Sequence, residues 1–205
     1  RLWEASTGNC LAVLEGHKVW VTGALPLPEG HVLSWADNML RLWDAKTGAF
    51  NGDLHGHTGL IKGALSLRDG RILSWCGDWT LRLWAIATST CRPVVTGHAY
   101  WVRNVLLLPD GQVLSWSNDK TLRLWDTATG DCRALLEGHP DWVMGALPLQ
   151  DGQILSWSKD KTLRVWDAAN GICRIVLEGH KDWIAGALLL PDGQIISWSN
   201  DETLR

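Results

Sequence analysis

The chain has 205 residues, 46% of them hydrophobic, and carries 15 tryptophans against one tyrosine and one phenylalanine. That apolar content can bury a sizeable core and excludes the disordered and collagen-like classes. A formal net charge of -3 leaves no basic surplus to neutralise phosphates or anionic headgroups, so neither nucleic acid nor a membrane is expected as a partner.

The N-terminal residues lack the basic and apolar regions of a signal peptide, and no apolar run reaches the roughly 18 residues of a membrane span. The cytoplasm is therefore the expected compartment. The tryptophan excess points to a duplicated unit. Gly-His recurs at His17, His57, His98, His139 and His180, separated by 40, 41, 41 and 41 residues. Ser-Trp follows in step at Trp35, Trp75, Trp116, Trp157 and Trp198. A third series, Trp3, Trp43, Trp84, Trp125 and Trp166, closes the segment Leu-Arg-Leu-Trp or a near variant. The shorter first interval reflects one deletion between Trp35 and Asp37.

Within each unit, short runs of Val, Ile, Leu and Trp alternate with turn signals, which predicts strands joined by hairpins. In the third unit the strands are expected at 101–108, 112–117, 121–126 and 132–137. Asp110-Gly111 is expected to form a type I′ turn, which requires positive φ. Four antiparallel strands cannot bury both faces alone, so successive units are expected to stack face to face. No uninterrupted ten-residue amphipathic stretch supports a helical array of similar period.

Of the five cysteines, Cys10, Cys91, Cys132 and Cys173 share one slot of the repeat that Phe50 fills in the remaining copy. A slot that accepts Phe is a packing position. Cys76 replaces a serine of the other copies, and no metal-ligand spacing such as C-x-x-C occurs. No metal and no cofactor is expected.

Gly138-His139 through Trp166-Asp167 carries a Gly-His and Trp-Asp signature at a period near forty, which is diagnostic of four-stranded propeller blades. Over its whole length the chain resembles the WD-repeat β-propeller family. The resemblance implies an all-β fold of five four-stranded antiparallel blades, which could be part of a larger ring. It also implies a buried tetrad in each blade, linking a strand-three Trp, a strand-two Ser, the Gly-His imidazole and a turn Asp. Carried onto this chain, the tetrads are His17, Ser34, Asp37 and Trp43; His57, Ser74, Asp78 and Trp84; His98, Ser115, Asp119 and Trp125; and His139, Ser156, Asp160 and Trp166. Recurrence of Ser, His and Asp in every unit reads as a structural network and not as a catalytic triad, so no enzyme is expected. His31 and His55 fall outside the series and are expected at the solvated surface. Ala85 after Trp84, Met39 in place of Thr, and Glu4 after Trp3 depart from the pattern.

Residues 1–205 are expected to form one propeller region of five repeats, each about 41 residues long and cut within a third strand. Arg205 ends the Thr-Leu-Arg half of that strand and Arg1-Leu2-Trp3 begins with the other half. The chain is therefore expected to be a segment of a longer array, whose unpaired blade edges offer a route to self-association.

Fold alone does not give function. In WD-repeat proteins the rim on the top face commonly binds partners through three positions per blade. The first set here is Trp20, Leu60, Trp101, Trp142 and Trp183, and the second is Thr22, Lys62, Arg103, Met144 and Ala185. The third is Ala36, Gly77, Asn118, Lys159 and Asn200. Rigid aromatics beside varied neighbours have the composition of a recognition surface. The expected function is a non-catalytic protein-interaction scaffold or sensing module with a protein or peptide partner. Uniform repeats with rim variation also resemble the sensor regions of bacterial and fungal signalling NTPases. The alternative is a carbohydrate-binding propeller that stacks sugars on its rim tryptophans, although polar residues for sugar hydroxyls are sparse beside them.

Overall fold

The computed structural model describes residues 1–86 and 97–205, together with the strand backbone over 90–95. Thr90 and Cys91 lie outside the residues with described side chains. Contacts divide the chain into two units, Arg1–Val94 and Val95–Arg205.

In the first unit β1 (Leu2–Trp3) and β2 (Cys10–Ala12) form a two-stranded ribbon. The first sheet follows as β3 (Gly23–Leu27), β4 (His31–Ala36), β5 (Met39–Asp44) and β6 (Phe50–Leu54). The second contains β7 (Ile61–Ser66), β8 (Ile72–Cys76), β9 (Leu81–Ala85) and β10 (Thr90–Val95). In the second unit the third sheet is β11 (Val102–Leu107), β12 (Val113–Ser117), β13 (Thr121–Trp125) and β14 (Cys132–Glu137). The fourth is β15 (Val143–Pro148), β16 (Gln153–Ser158), β17 (Leu163–Asp167) and β18 (Cys173–Leu177). The last pair, β19 (Ile184–Leu189) and β20 (Ile195–Ser199), is extended by a bridge between Trp198 and Leu204. Each full sheet is an antiparallel meander of consecutive strands.

The expected strand limits of the third sheet hold to within one residue at each end. The turn type does not. Asp110 keeps a negative φ, Gly111 alone sits at φ +87, and the Gly111 N–H bonds the Leu108 carbonyl. This is a type I turn closed by a left-handed glycine, which suits Pro109 at its first corner.

The second strands β8 and β12 are buried at every residue, as strands covered on both faces must be. In the first unit Leu33, Leu40 and Trp35 of the first sheet share a core with Ile61, Ile72 and Trp84 of the second. In the second unit Leu114, Leu122 and Leu136 pack with Val143, Ile154 and Trp166. The opposite face of the fourth sheet packs Leu155 and Val165 on Ile184 and Ala187. Stacking puts the Gly-His segment and the turn between second and third strands at one end of each sheet, where the tetrads form.

Candidate functional site

Each tetrad is a directional chain of hydrogen bonds. In the second sheet the Trp84 indole N–H donates to Ser74 Oγ at 2.8 Å. His57 Nε2 lies 2.7 Å from that hydroxyl and its Nδ1 3.0 Å from Asp78 Oδ2. A carboxylate only accepts, so the imidazole proton sits on Nδ1, and the serine hydroxyl donates to Nε2. The third sheet repeats the chain through Trp125, Ser115, His98 and Asp119, with distances of 2.7 Å throughout. The fourth repeats it through Trp166, Ser156, His139 and Asp160 at 2.8, 2.7 and 2.6 Å.

Sequence reasoning left a further set unassigned: His180 Nε2 lies 2.9 Å from Ser197 Oγ, and its Nδ1 lies 2.9 Å from Asp201 Oδ2. It also left out a fifth member of the network. Thr80, Thr121, Thr162 and Thr203 each donate a hydroxyl to the turn Asp at 2.6–2.7 Å. Their recurrence in the repeat was the available signal. Burial would raise the Asp78 pKa, but hydrogen bonds from Thr80, the Thr58 N–H and His57 outweigh it and hold the carboxyl well below the ordinary range. Burial pushes the His57 pKa down against the opposing pull of Asp78. Ser74, Ser115 and Ser156 are fully buried, so these hydroxyls brace the sheet and are out of reach of a substrate.

The first sheet requires a correction. His17 Nε2 lies 2.7 Å from Ser34 Oγ, and the Trp43 indole donates to the same oxygen at 2.8 Å, but Asp37 makes no hydrogen bond to His17. The deletion shortens the turn to Asp37-Asn38 between paired Ala36 and Met39. Asp37 itself then takes φ +52. In the other repeats the residue after the Asp bears the positive φ, at Trp79, Lys120, Lys161 and Glu202.

His57, Cys76 and Asp78 bring three ligand-type atoms within 4.8 Å. However, the Cys76 thiol lies 2.8 Å from the Gly59 carbonyl, and burial pushes its pKa up to about 12. The thiol donates to that carbonyl while His57 Nδ1 and Asp78 bond each other, so each of the three groups already has a partner within the sheet. The shared cysteine slot is more open than a packing position: Cys10 and Cys132 are exposed, and Phe50 is 52% exposed with its ring edge on Trp43. Cys173 is half-buried. His55 is exposed as expected, while His31 is half-buried with Nδ1 3.3 Å from Asn51 Nδ2.

In the first unit Trp20 is 91% exposed and Leu60 40%, with Thr22 and Lys62 also exposed. In the second unit Trp101 is exposed and stacks on Tyr100 at 6.0 Å. Trp142, Met144 and Trp183 are half-buried; Ala185 and Asn200 are exposed. Lys159 Nζ lies 4.2 Å from the Trp142 ring centroid and 4.5 Å from that of Trp183, and the Arg103 guanidinium lies 5.6 Å from Trp142. Asn118 is buried, and its side-chain oxygen accepts the Arg103 Nε–H at 2.5 Å. It orients the rim arginine and presents little surface of its own.

Sequence reasoning also missed the glycines opposite the Ser-Trp indoles. Gly23, Gly63, Gly145 and Gly186 pair with Trp35, Trp75, Trp157 and Trp198. The rings lie flat across them, leaving no room for a Cβ.

Stacked four-stranded meanders, each braced by an indole–hydroxyl–imidazole chain, define a repeat protein of propeller blades. The chain belongs to the WD40 family: the family described as "WD domain, G-beta repeat" matches residues 8–44, 89–126 and 130–167, more than half of the sequence. Nuclear distribution protein PAC1 from Arthroderma benhamiae and from Trichophyton verrucosum are each 46% identical to it over 33 residues. That stretch covers 16% of this chain and 7% of each of those proteins. WD40 repeats are in general non-catalytic modules that hold protein partners. Among the described residues no helix is long and apolar enough to cross a membrane.

Proposed function

We propose that this chain is a protein-recognition module that binds a protein or peptide partner through the end of its sheets carrying the Gly-His segments. The observation that carries this reading is the alternation of Arg103, Trp142, Lys159 and Trp183, contributed by three successive repeats of the second unit. Cations laid on indole faces keep their N–H groups available for a partner's carbonyls and carboxylates while the rings supply apolar area. A sugar would need those same faces for stacking, so the geometry favours the protein reading over the lectin. The reading includes a signalling or scaffolding role in the cytoplasm without catalysis, cofactor or nucleic acid.

The test replaces Arg103→Ala together with Lys159→Ala and measures thermal melting and retention of protein partners, with a glycan array alongside. The double variant should stay folded, its melt lowered only by loss of the cation–π contacts and of the Arg103–Asn118 bond, yet lose binding, whereas Arg133→Ala, which breaks only the outer ion pair with Asp126 at 2.8 Å, should keep it. Equal loss from both variants, or binding competed by sugar, would overturn the reading. We further propose that residues 1–205 form one propeller region of five repeats. Self-association through blade edges is part of the same reading, and sedimentation across a concentration series would detect it.

A further inference from the structure

In the second, third and fifth repeats one carboxylate oxygen receives two donors: the imidazole Nδ1–H and the backbone N–H of the residue after the histidine. That second bond comes from Thr58 at 2.9 Å, Ala99 at 2.9 Å and Lys181 at 2.7 Å. In the fourth repeat Pro140 has no N–H to give. In the first sheet, among the described residues, neither His17 Nδ1 nor the Lys18 N–H has such an acceptor, and Met39 stands where the supporting threonine would be. A cavity of about 240 Å³ occupies the place of the carboxylate, lined by Gly16, His17, Lys18, Asp37, Asn38 and Arg41 among others.

Lys18, Asp37 and Arg41 all line this cavity, and Arg41 is already paired with Asp53 at 3.0 Å, so what the site offers an anion is two N–H donors and the Lys18 ammonium rather than a surplus of charge. Asp37 sits on the lining but bonds nothing there. Burial and then Arg41 hold the His17 pKa below its ordinary value, with Asp53 opposing them. Besides removing the internal carboxylate, the deletion releases the strand beside it. In the other repeats the residue before the turn Asp donates its N–H to the carbonyl of Leu60, Trp101, Trp142 or Trp183 at 2.8–3.1 Å. In the first sheet Ala36 stands before Asp37 but pairs with Met39 and, among the described residues, makes no such bond to Trp20; Val19, Trp20 and Val21 stand 54%, 91% and 54% exposed.

We propose that this cavity is a binding site for a carboxylate, which would supply from outside the chain what Asp78, Asp119, Asp160 and Asp201 supply from within it. The ligand's oxygen accepts the Nδ1–H of His17 and the N–H of Lys18, and Lys18 Nζ neutralises its charge. The site is distinct from the rim positions of the second unit and does not depend on the reading given to them.

The experiment follows the His17 ring and Lys18 amide by nitrogen-edited NMR while sodium acetate is added at constant ionic strength against sodium chloride. Separate arms use the blocked peptides Val-Asp-Val and Val-Asn-Val. Saturable shifts at His17 and Lys18, absent with chloride and the Asn peptide, are expected, while His57 and Thr58, already served by Asp78, stay still and provide an internal control in the same sample. Inserting one asparagine between Ala36 and Asp37, with Met39→Thr, restores the turn of the other repeats and should weaken binding by about tenfold or more. Tighter binding of the Asp peptide than of acetate identifies an acidic side chain on a partner as the source, whereas equal binding identifies a small free carboxylate; either supports the site. The proposal is overturned if no saturable shift occurs, if His57 and Thr58 shift in parallel, if the repaired chain binds as well as the parent, or if binding needs Asp37→Asn.

Discussion

Gly145 and Trp157 face each other across β15 and β16 so closely that a Cβ on the glycine would lie 2.1 Å from the indole ring. A flat ring held between two sheets cannot withdraw as a flexible side chain can. Gly145→Ala should therefore cost roughly 1 to 3 kcal/mol of stability, the range of overpacking in a filled core. Denaturant melts would check this, and an unchanged midpoint would show that the indole has room to move.

His139→Ala removes the middle of a four-member chain and leaves Ser156 and Asp160 without their shared partner, while the Trp166 indole keeps its bond to Ser156. The expected loss is roughly 1 to 3 kcal/mol. His17→Ala should cost less, because its imidazole makes no bond to Asp37 and is only partly buried. Parallel urea melts of the two variants test the order. Equal losses would mean that the His–Asp bond contributes little.

Stability should fall on acidification in two stages. The folded-state pKa of His57 lies below the ordinary 6.5, as does that of His17, so the unfolded chain binds more protons as pH drops through 6.5, and stability present above that value is lost below it. Asp78 and Asp119 have carboxyls held below the ordinary 3.8; their contribution is present above 3.8 and is lost as pH falls further. Urea midpoints measured from pH 8 to pH 3 should be flat at first, decline below pH 6.5, and decline again near 3.8. A single step confined to the acidic end would show that the histidines contribute nothing.

Lys159 bridges two indoles from neighbouring repeats, so its contribution should appear as coupling. A double-mutant cycle of Lys159→Met with Trp183→Leu should give an interaction of about 0.5 to 1 kcal/mol, the size of a partly exposed cation–π contact. Zero coupling would indicate that the ammonium is held by water and not by the rings.

The repeat period, the four-strand units and the composition of the tetrads were legible in the sequence because each is a matter of residue type recurring at fixed spacing. What escaped was geometry that depends on the lengths of turns. Asp37 has the right identity at almost the right position, yet one missing residue rotates its backbone to φ +52 and takes its carboxylate away from His17. The Asp110-Gly111 turn was misassigned for a similar reason: the dipeptide suits two turn types, and Pro109 decides between them by fixing the φ of the first corner. Gly145 and its equivalents recur in four of the five repeats, with Asn104 opposite Trp116 in the third, and the reason for a bare backbone in the four is visible only once the indole is seen lying across it. Asn118 was read as rim by its spacing, and burial shows it to be the support for Arg103 instead.

Cys76 gives the second sheet a chemical clock. Its thiol is fully buried, donates to the Gly59 carbonyl and stays protonated to about pH 12, whereas Cys10 and Cys132 stand open to solvent. An alkylating reagent will consume the open thiols at once and reach Cys76 only when the turn beside Asp78 parts from the Gly-His segment. The slow phase of modification therefore reports how often that end of the sheet breathes, in the unaltered chain and without any added probe.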